Sequence, residues 1–74
     1  MSEWSMIQWL PSYEATIVKD SKFVRVKIGK QFHNMQEVYP VRIINVQTGH
    51  KVDFHEESLE KAIDRYHRII GVFR

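Results

Sequence analysis

The sequence predicts an α+β fold: a small antiparallel sheet of three to four strands with one C-terminal helix packed on one face. Three observations lead there. Residues 23–28 alternate apolar and polar with a period of two, and residues 59–70 repeat apolar side chains at three- and four-residue spacing. Between them, short β-rich runs are separated by polar, turn-forming residues. The chain has 74 residues, 43% of them hydrophobic and 27% charged, which suffices for one core and hence a single domain over 1–74. A core of that size seldom supplies more than ~3–5 kcal/mol of net stability. With no cysteine, neither a disulfide nor a thiolate zinc site can add to it. A partner chain or oligomer is then the expected source of additional stability, and a homodimer would use strand 41–46 or the tryptophan-bearing arm.

That arm spans 1–11, where Trp4, Met6, Ile7, Trp9 and Leu10 precede Pro11. Met6, Trp9 and Leu10 suit one helical turn, which Pro11 stops. Strands fill 12–54. Tyr13–Val18 reads as the first, and Lys19-Asp20-Ser21-Lys22 as a four-residue turn. Phe23–Ile28 is the clearest strand, with Val24, Val26 and Ile28 on one face and Phe23, Arg25 and Lys27 on the other. Gly29 is expected to end it, leaving Lys30–Tyr39 as a loop or a single helical turn.

Pro40 suits the first position of a strand, and Val41–Val46 follows as that strand. Gln47-Thr48-Gly49 is a hairpin loop with glycine in the left-handed position, and Lys51–Phe54 is the return strand. An odd loop length would put Ile44, Val46, Val52 and Phe54 on one face and leave Val41 and Ile43 on the reverse. The helix is expected over 56–70, with Asp53 and Glu56 as a capping pair and Gly71 as its end. Leu59, Ala62, Ile63, Tyr66, Ile69 and Ile70 form its buried stripe. Glu57–Lys61 and Asp64–Arg68 are i,i+4 pairs. Glu56 and Glu57 in the first turn and Arg68 near the last suit the helix dipole.

Net charge is +2, yet it is concentrated: residues 19–30 hold Lys19, Lys22, Arg25, Lys27 and Lys30 against Asp20 alone. A local basic patch can meet phosphates or an acidic protein surface even when total charge is modest. Enzymatic chemistry finds no support. Three scattered glycines make no phosphate loop. Ser58 beside His55 and Glu56 makes no triad, because side chains in one helical turn point apart. His33, His50, His55 and His67 lack the i,i+4 spacing of a helical metal pair, so neither metal nor cofactor is expected. The N-terminus has no signal-peptide pattern and no apolar run reaches membrane-spanning length, so a soluble cytoplasmic protein without membrane contact is the expectation.

The order of strands followed by a helix, with Phe54-His55-Glu56-Glu57-Ser58-Leu59-Glu60-Lys61-Ala62 opening the helix, resembles small sheet-plus-helix DNA-binding modules such as the arm-binding domains of tyrosine integrases. The resemblance covers residues 41–70 as a pattern and carries over no individual residue. The functional expectation is therefore a non-enzymatic binding module. Its leading partner is nucleic acid, met by Lys22, Phe23, Arg25, Lys27 and Lys30. The alternative is a protein modulator, an inhibitor or adaptor of viral or mobile-element type, whose basic strand meets an acidic patch on a host enzyme. Trp4, Trp9 or Phe32 would anchor that contact.

Overall fold

A computed structural model describes residues 4–73. It contains four strands and one helix: β1 (Gln8–Lys19), β2 (Lys22–His33), β3 (Gln36–Asn45), β4 (Lys51–Glu56) and α1 (Leu59–Phe73). The strands form one antiparallel meander in the order β1-β2-β3-β4. The molecule is an α+β fold with a four-stranded sheet and a C-terminal helix on one side. Among the described residues no helix is long and apolar enough to cross a membrane.

The strands are longer than their hydrophobic patterns announce. β1 starts at Gln8 and runs through Pro11, so residues 8–11 of the predicted arm are strand rather than helical turn. Pro11 is tolerated because β1 is an edge, and the register with β2 shifts between Trp9 and Glu14. β2 does not stop at Gly29 but continues to His33, and the predicted loop 30–39 is the far half of a β2–β3 hairpin. Its two-residue turn is Asn34-Met35, with φ of 51° and 63°. The β1–β2 turn is built alike from Asp20-Ser21, with φ of 51° and 64°. Positive φ at both central residues defines the turn whose twist matches flanking strands. Left-handed backbone costs a residue with a Cβ about 1–2 kcal/mol, and Met35 is 97% exposed, with nothing to lose by truncation. Met35→Gly, which creates an Asn-Gly turn, is therefore expected to raise the thermal midpoint by a few degrees in calorimetry. An unchanged or lower midpoint would count against this turn geometry.

Pro40 lies inside β3, a central strand, rather than at a strand start. The β2–β3 register runs Ile28↔Val41, lapses, and resumes unchanged at Gln31↔Val38. The interruption faces Gly29, where the proline has no N–H to contribute to the ladder. The β3–β4 register pairs Ile43 with Val52 and Val41 with Phe54. The helix-facing set is thus Val41, Ile43, Val52 and Phe54, and Ile44 turns to the other face. This overturns the grouping expected from an odd loop: the connection from Asn45 to His50 has an even number of residues between Ile44 and its partner Lys51. Gly49 does take the left-handed conformation, at φ 79°.

α1 begins and ends three residues later than predicted, at Leu59 and Phe73 rather than 56 and 70. Glu56 belongs to β4. The cap is Ser58, whose Oγ accepts from the Lys61 amide at 3.2 Å. Asp53 has other work on the sheet, and Gly71 is absorbed into the last turn. Glu60 is the acidic residue in the first turn, and the last turn holds no basic one. Both predicted helix pairs form: Lys61 lies 3.3 Å from Glu57, and Arg68 2.7 Å from Asp64.

The core is Val24, Val26 and Ile28 of β2 and Val41 of β3, closed by Ala62, Tyr66 and Ile70 of α1. Leu59, Ile63, Ile69 and Phe73 pack around it. A helix of 15 residues spans about 22 Å, whereas the molecule is 41 Å long. The helix therefore covers one face of the sheet over about half its length.

Candidate functional site

The residues of β2 with odd numbers face away from the helix, and the registers extend that face as rows across the sheet. One row is Val18–Phe23–Val46, the next Thr16–Arg25–Ile44–Lys51, the next Glu14–Lys27–Arg42–Asp53. The predicted trio Phe23, Arg25 and Lys27 does share this face. Lys22 and Lys30 do not: their even positions place them on the helix side. There Lys22 borders apolar grooves beside Val24 and Phe73. Lys30 stands 3.3 Å from Glu37 and 5.8 Å from the Phe32 ring. The Tyr39 hydroxyl donates to the same Glu37 carboxylate at 2.9 Å, which lowers the pKa of Glu37 and raises that of Tyr39. Phe32 lies in this helix-side group, so the three candidate anchors Trp4, Trp9 and Phe32 are not brought together.

The face away from the helix has two halves. Toward the β2–β3 turn it is covered by residues 4–9. Trp4 forms a backbone bridge with His33 and sets its ring, tilted by 47° and 45°, against those of His33 and His55, at centroid distances of 3.8 and 4.8 Å. The Ser5 amide donates to the Phe32 carbonyl at 2.9 Å, the Phe32 amide to Ser5 Oγ at 2.8 Å, and Gln31 Nε2 to the Ser5 carbonyl at 2.7 Å. Ile7 and Trp9 press onto Gly29, where a Cβ would meet both side chains. Of the predicted 1–11 arm, residues 1–3 lie outside the described residues, and residues 4–11 are largely a sheet-pairing segment tied along β2.

At the boundary stands the charged row. The Trp9 ring has Lys27 Nζ at 4.1 Å and the Arg42 guanidinium at 4.8 Å. Arg42 also binds Asp53 with both arms of its fork, Nε to Oδ1 at 2.7 Å and Nη2 to Oδ2 at 2.8 Å. These hydrogen bonds hold the Asp53 carboxyl below its usual pKa and the Arg42 guanidinium above its own, while partial burial of each opposes the shift. A carboxyl with a lowered folded pKa stabilises the fold above its unfolded value and loses that contribution as pH falls through the lowered one. Asp53→Asn is therefore expected to destabilise the protein at neutral pH and to flatten the acid limb of its stability profile. Urea midpoints between about pH 5 and pH 2 test this; parallel acid limbs for variant and parent would refute it.

Beyond that row, toward the β1–β2 turn, the face is exposed. Phe23 is 43% exposed, Val18 60% and Val46 47%. Arg25 is 3.9 Å from Glu14, with both side chains more than two-fifths exposed, a pair of little energetic weight. Lys51 is exposed in the same row as Arg25. Arg42 and Lys51 are members of this face that period-two patterning of β2 alone could not reveal, because they join it only through the registers of β3 and β4. Chemically the exposed half offers one aromatic ring, Phe23, the exposed apolar side chains Val18 and Val46 beside half-buried Ile44, and the cations Arg25 and Lys51. No protein-family model, curated protein or solved structure matches this chain.

Proposed function

We propose that this protein is a non-enzymatic binding module that holds single-stranded nucleic acid on the exposed half of the sheet face opposite the helix. The observation that carries the reading is the grouping of exposed Phe23 with Arg25 and Lys51 on a face that α1 leaves uncovered. Cations that neutralise phosphates release counterions, and an aromatic ring on a sheet stacks on an unpaired base. Stacking of that kind requires bases free of a duplex, hence a single strand. Lys27 and Arg42, held by Trp9 and Asp53, frame the site rather than supply free charge.

The reading makes a quantitative demand on binding to short DNA or RNA oligonucleotides. Affinity should fall with salt by a slope of about 0.7 per phosphate contact. Arg25→Glu should shed about one contact's slope and weaken all sequences alike, and Phe23→Ala should cost about 1–3 kcal/mol. Absence of salt-dependent binding, or indifference to both substitutions, refutes the proposal. A second reading is favoured by the apolar row Val18–Phe23–Val46: a protein partner seated on that row, its acidic rim toward Arg25 and Lys51. In that case one dominant protein partner resists nuclease treatment, is lost with Phe23→Ala, and no oligonucleotide binds.

A further inference from the structure

The two edges of the sheet differ. β1 carries Pro11 and a shifted register between Trp9 and Glu14, features that spoil an edge for further pairing. β4 has neither proline nor glycine, and its register against β3 is unbroken from Tyr39↔Glu56 to Ile44↔Lys51. The Asn45 amide donates to the His50 carbonyl at 2.8 Å. Antiparallel pairs alternate between bonded and non-bonded, so Val52, Phe54 and Glu56 turn their backbone groups to β3. Lys51, Asp53 and His55 turn theirs outward.

We propose that this outward edge pairs antiparallel with β4 of a second copy of the chain, about a two-fold axis through Phe54. A two-fold perpendicular to the sheet keeps like faces together only if odd positions meet odd positions. Centring the axis on Asp53 would set two Asp53 carboxylates directly opposite each other, which like charges oppose. Centring it on Phe54 sets Asp53 opposite His55 of the partner subunit and Lys51 opposite Glu57 of the partner subunit. Each pair then occurs twice. Phe54, half-buried on the helix side with the Arg65 guanidinium 4.5 Å from its ring, meets its own counterpart at the axis. Glu57 is free to turn to this contact, since its tie to Lys61 is a 3.3 Å pair with 87% of the Glu57 side chain exposed. The assembly doubles the four-stranded sheet and sets both helices on one side. The two copies of the exposed half-face described above then lie on the other side. The inference is independent of what that face binds.

Light scattering or sedimentation equilibrium of the full chain tests it directly. With rising concentration the mass should move from 8.9 kDa to twice that value. His55→Pro removes an outward N–H and no bond to β3, so it should give a folded monomer, with folding checked by circular dichroism. Lys51→Glu and Glu57→Lys should each raise the dissociation constant roughly tenfold by creating two like-charge pairs, and the double variant should restore the dimer. A mass of 8.9 kDa at every concentration overturns the proposal. So does a dimer indifferent to His55→Pro and to the charge reversals.

Discussion

Ile28→Ala is expected to cost about 2–5 kcal/mol and to leave a large part of the chain unfolded at room temperature. Ile28 is completely buried, as are Val26, Val41 and Ala62. It stands at the centre of β2, flanked by Val41 on β3 and covered by the helix stripe of Ala62, Tyr66 and Ile70. Removing three carbons there loses their transfer free energy and opens a void that the rigid sheet beneath cannot collapse to fill. A domain of this length holds only ~3–5 kcal/mol in reserve, so the loss is comparable with the whole stability. Urea unfolding followed by circular dichroism reads it. A loss below about 1 kcal/mol would mean that the helix does not close over this residue as described.

Gly29→Ala should be nearly as damaging, at about 1–3 kcal/mol, although replacing a strand glycine usually helps by restricting the unfolded chain. The reason is the N-terminal segment. An added Cβ would overlap Ile7 Cγ2 and come within 3.0 and 3.2 Å of the Trp9 ring. Trp9 cannot simply retreat, because Lys27 and Arg42 lie against it. The expected outcome is that the segment before β1 lifts from the sheet, with a red shift of tryptophan emission and a lower urea midpoint. Ile7→Ala in the same chain should recover part of the loss, as a coupling of about 0.5–3 kcal/mol in a double-mutant cycle. A neutral or stabilising Gly29→Ala would show that the segment does not lie against β2.

Part of what sets both effects is legible in the sequence. The alternation at 23–28 gives the inward face of β2 and the common face of Phe23, Arg25 and Lys27. The same parity also separates Lys22 and Lys30 from that face, a signal present in the sequence that the charge count obscured. The turns are a different matter. Asp20-Ser21 and Asn34-Met35 adopt positive φ at all four positions, yet neither Ser21 nor Met35 prefers that region. Pairing of the long strands on either side imposes it. Pro11 and Pro40 were natural boundaries by local rules, and both lie inside strands. An edge position excuses the first, and a lapse in one ladder accommodates the second.

What the sequence by itself determined is the local periodicity: a strand of period two, a helix of period 3.6, a glycine for the left-handed turn at 49, and hence the α+β class. Backbone geometry sets these periods residue by residue, so neighbouring side chains suffice to reveal them. Only the tertiary structure decided which strands share a row. Arg42, Lys51, Glu14 and Asp53 reach the face of Arg25 and Lys27 through registers fixed by burial of Val26, Ile28 and Val41 beneath the helix. A slip of one residue in any ladder would send those charges to the other side. The character of the site, half covered by Trp9 and half left open around Phe23, therefore depends on contacts between residues far apart in the chain, which no local pattern encodes.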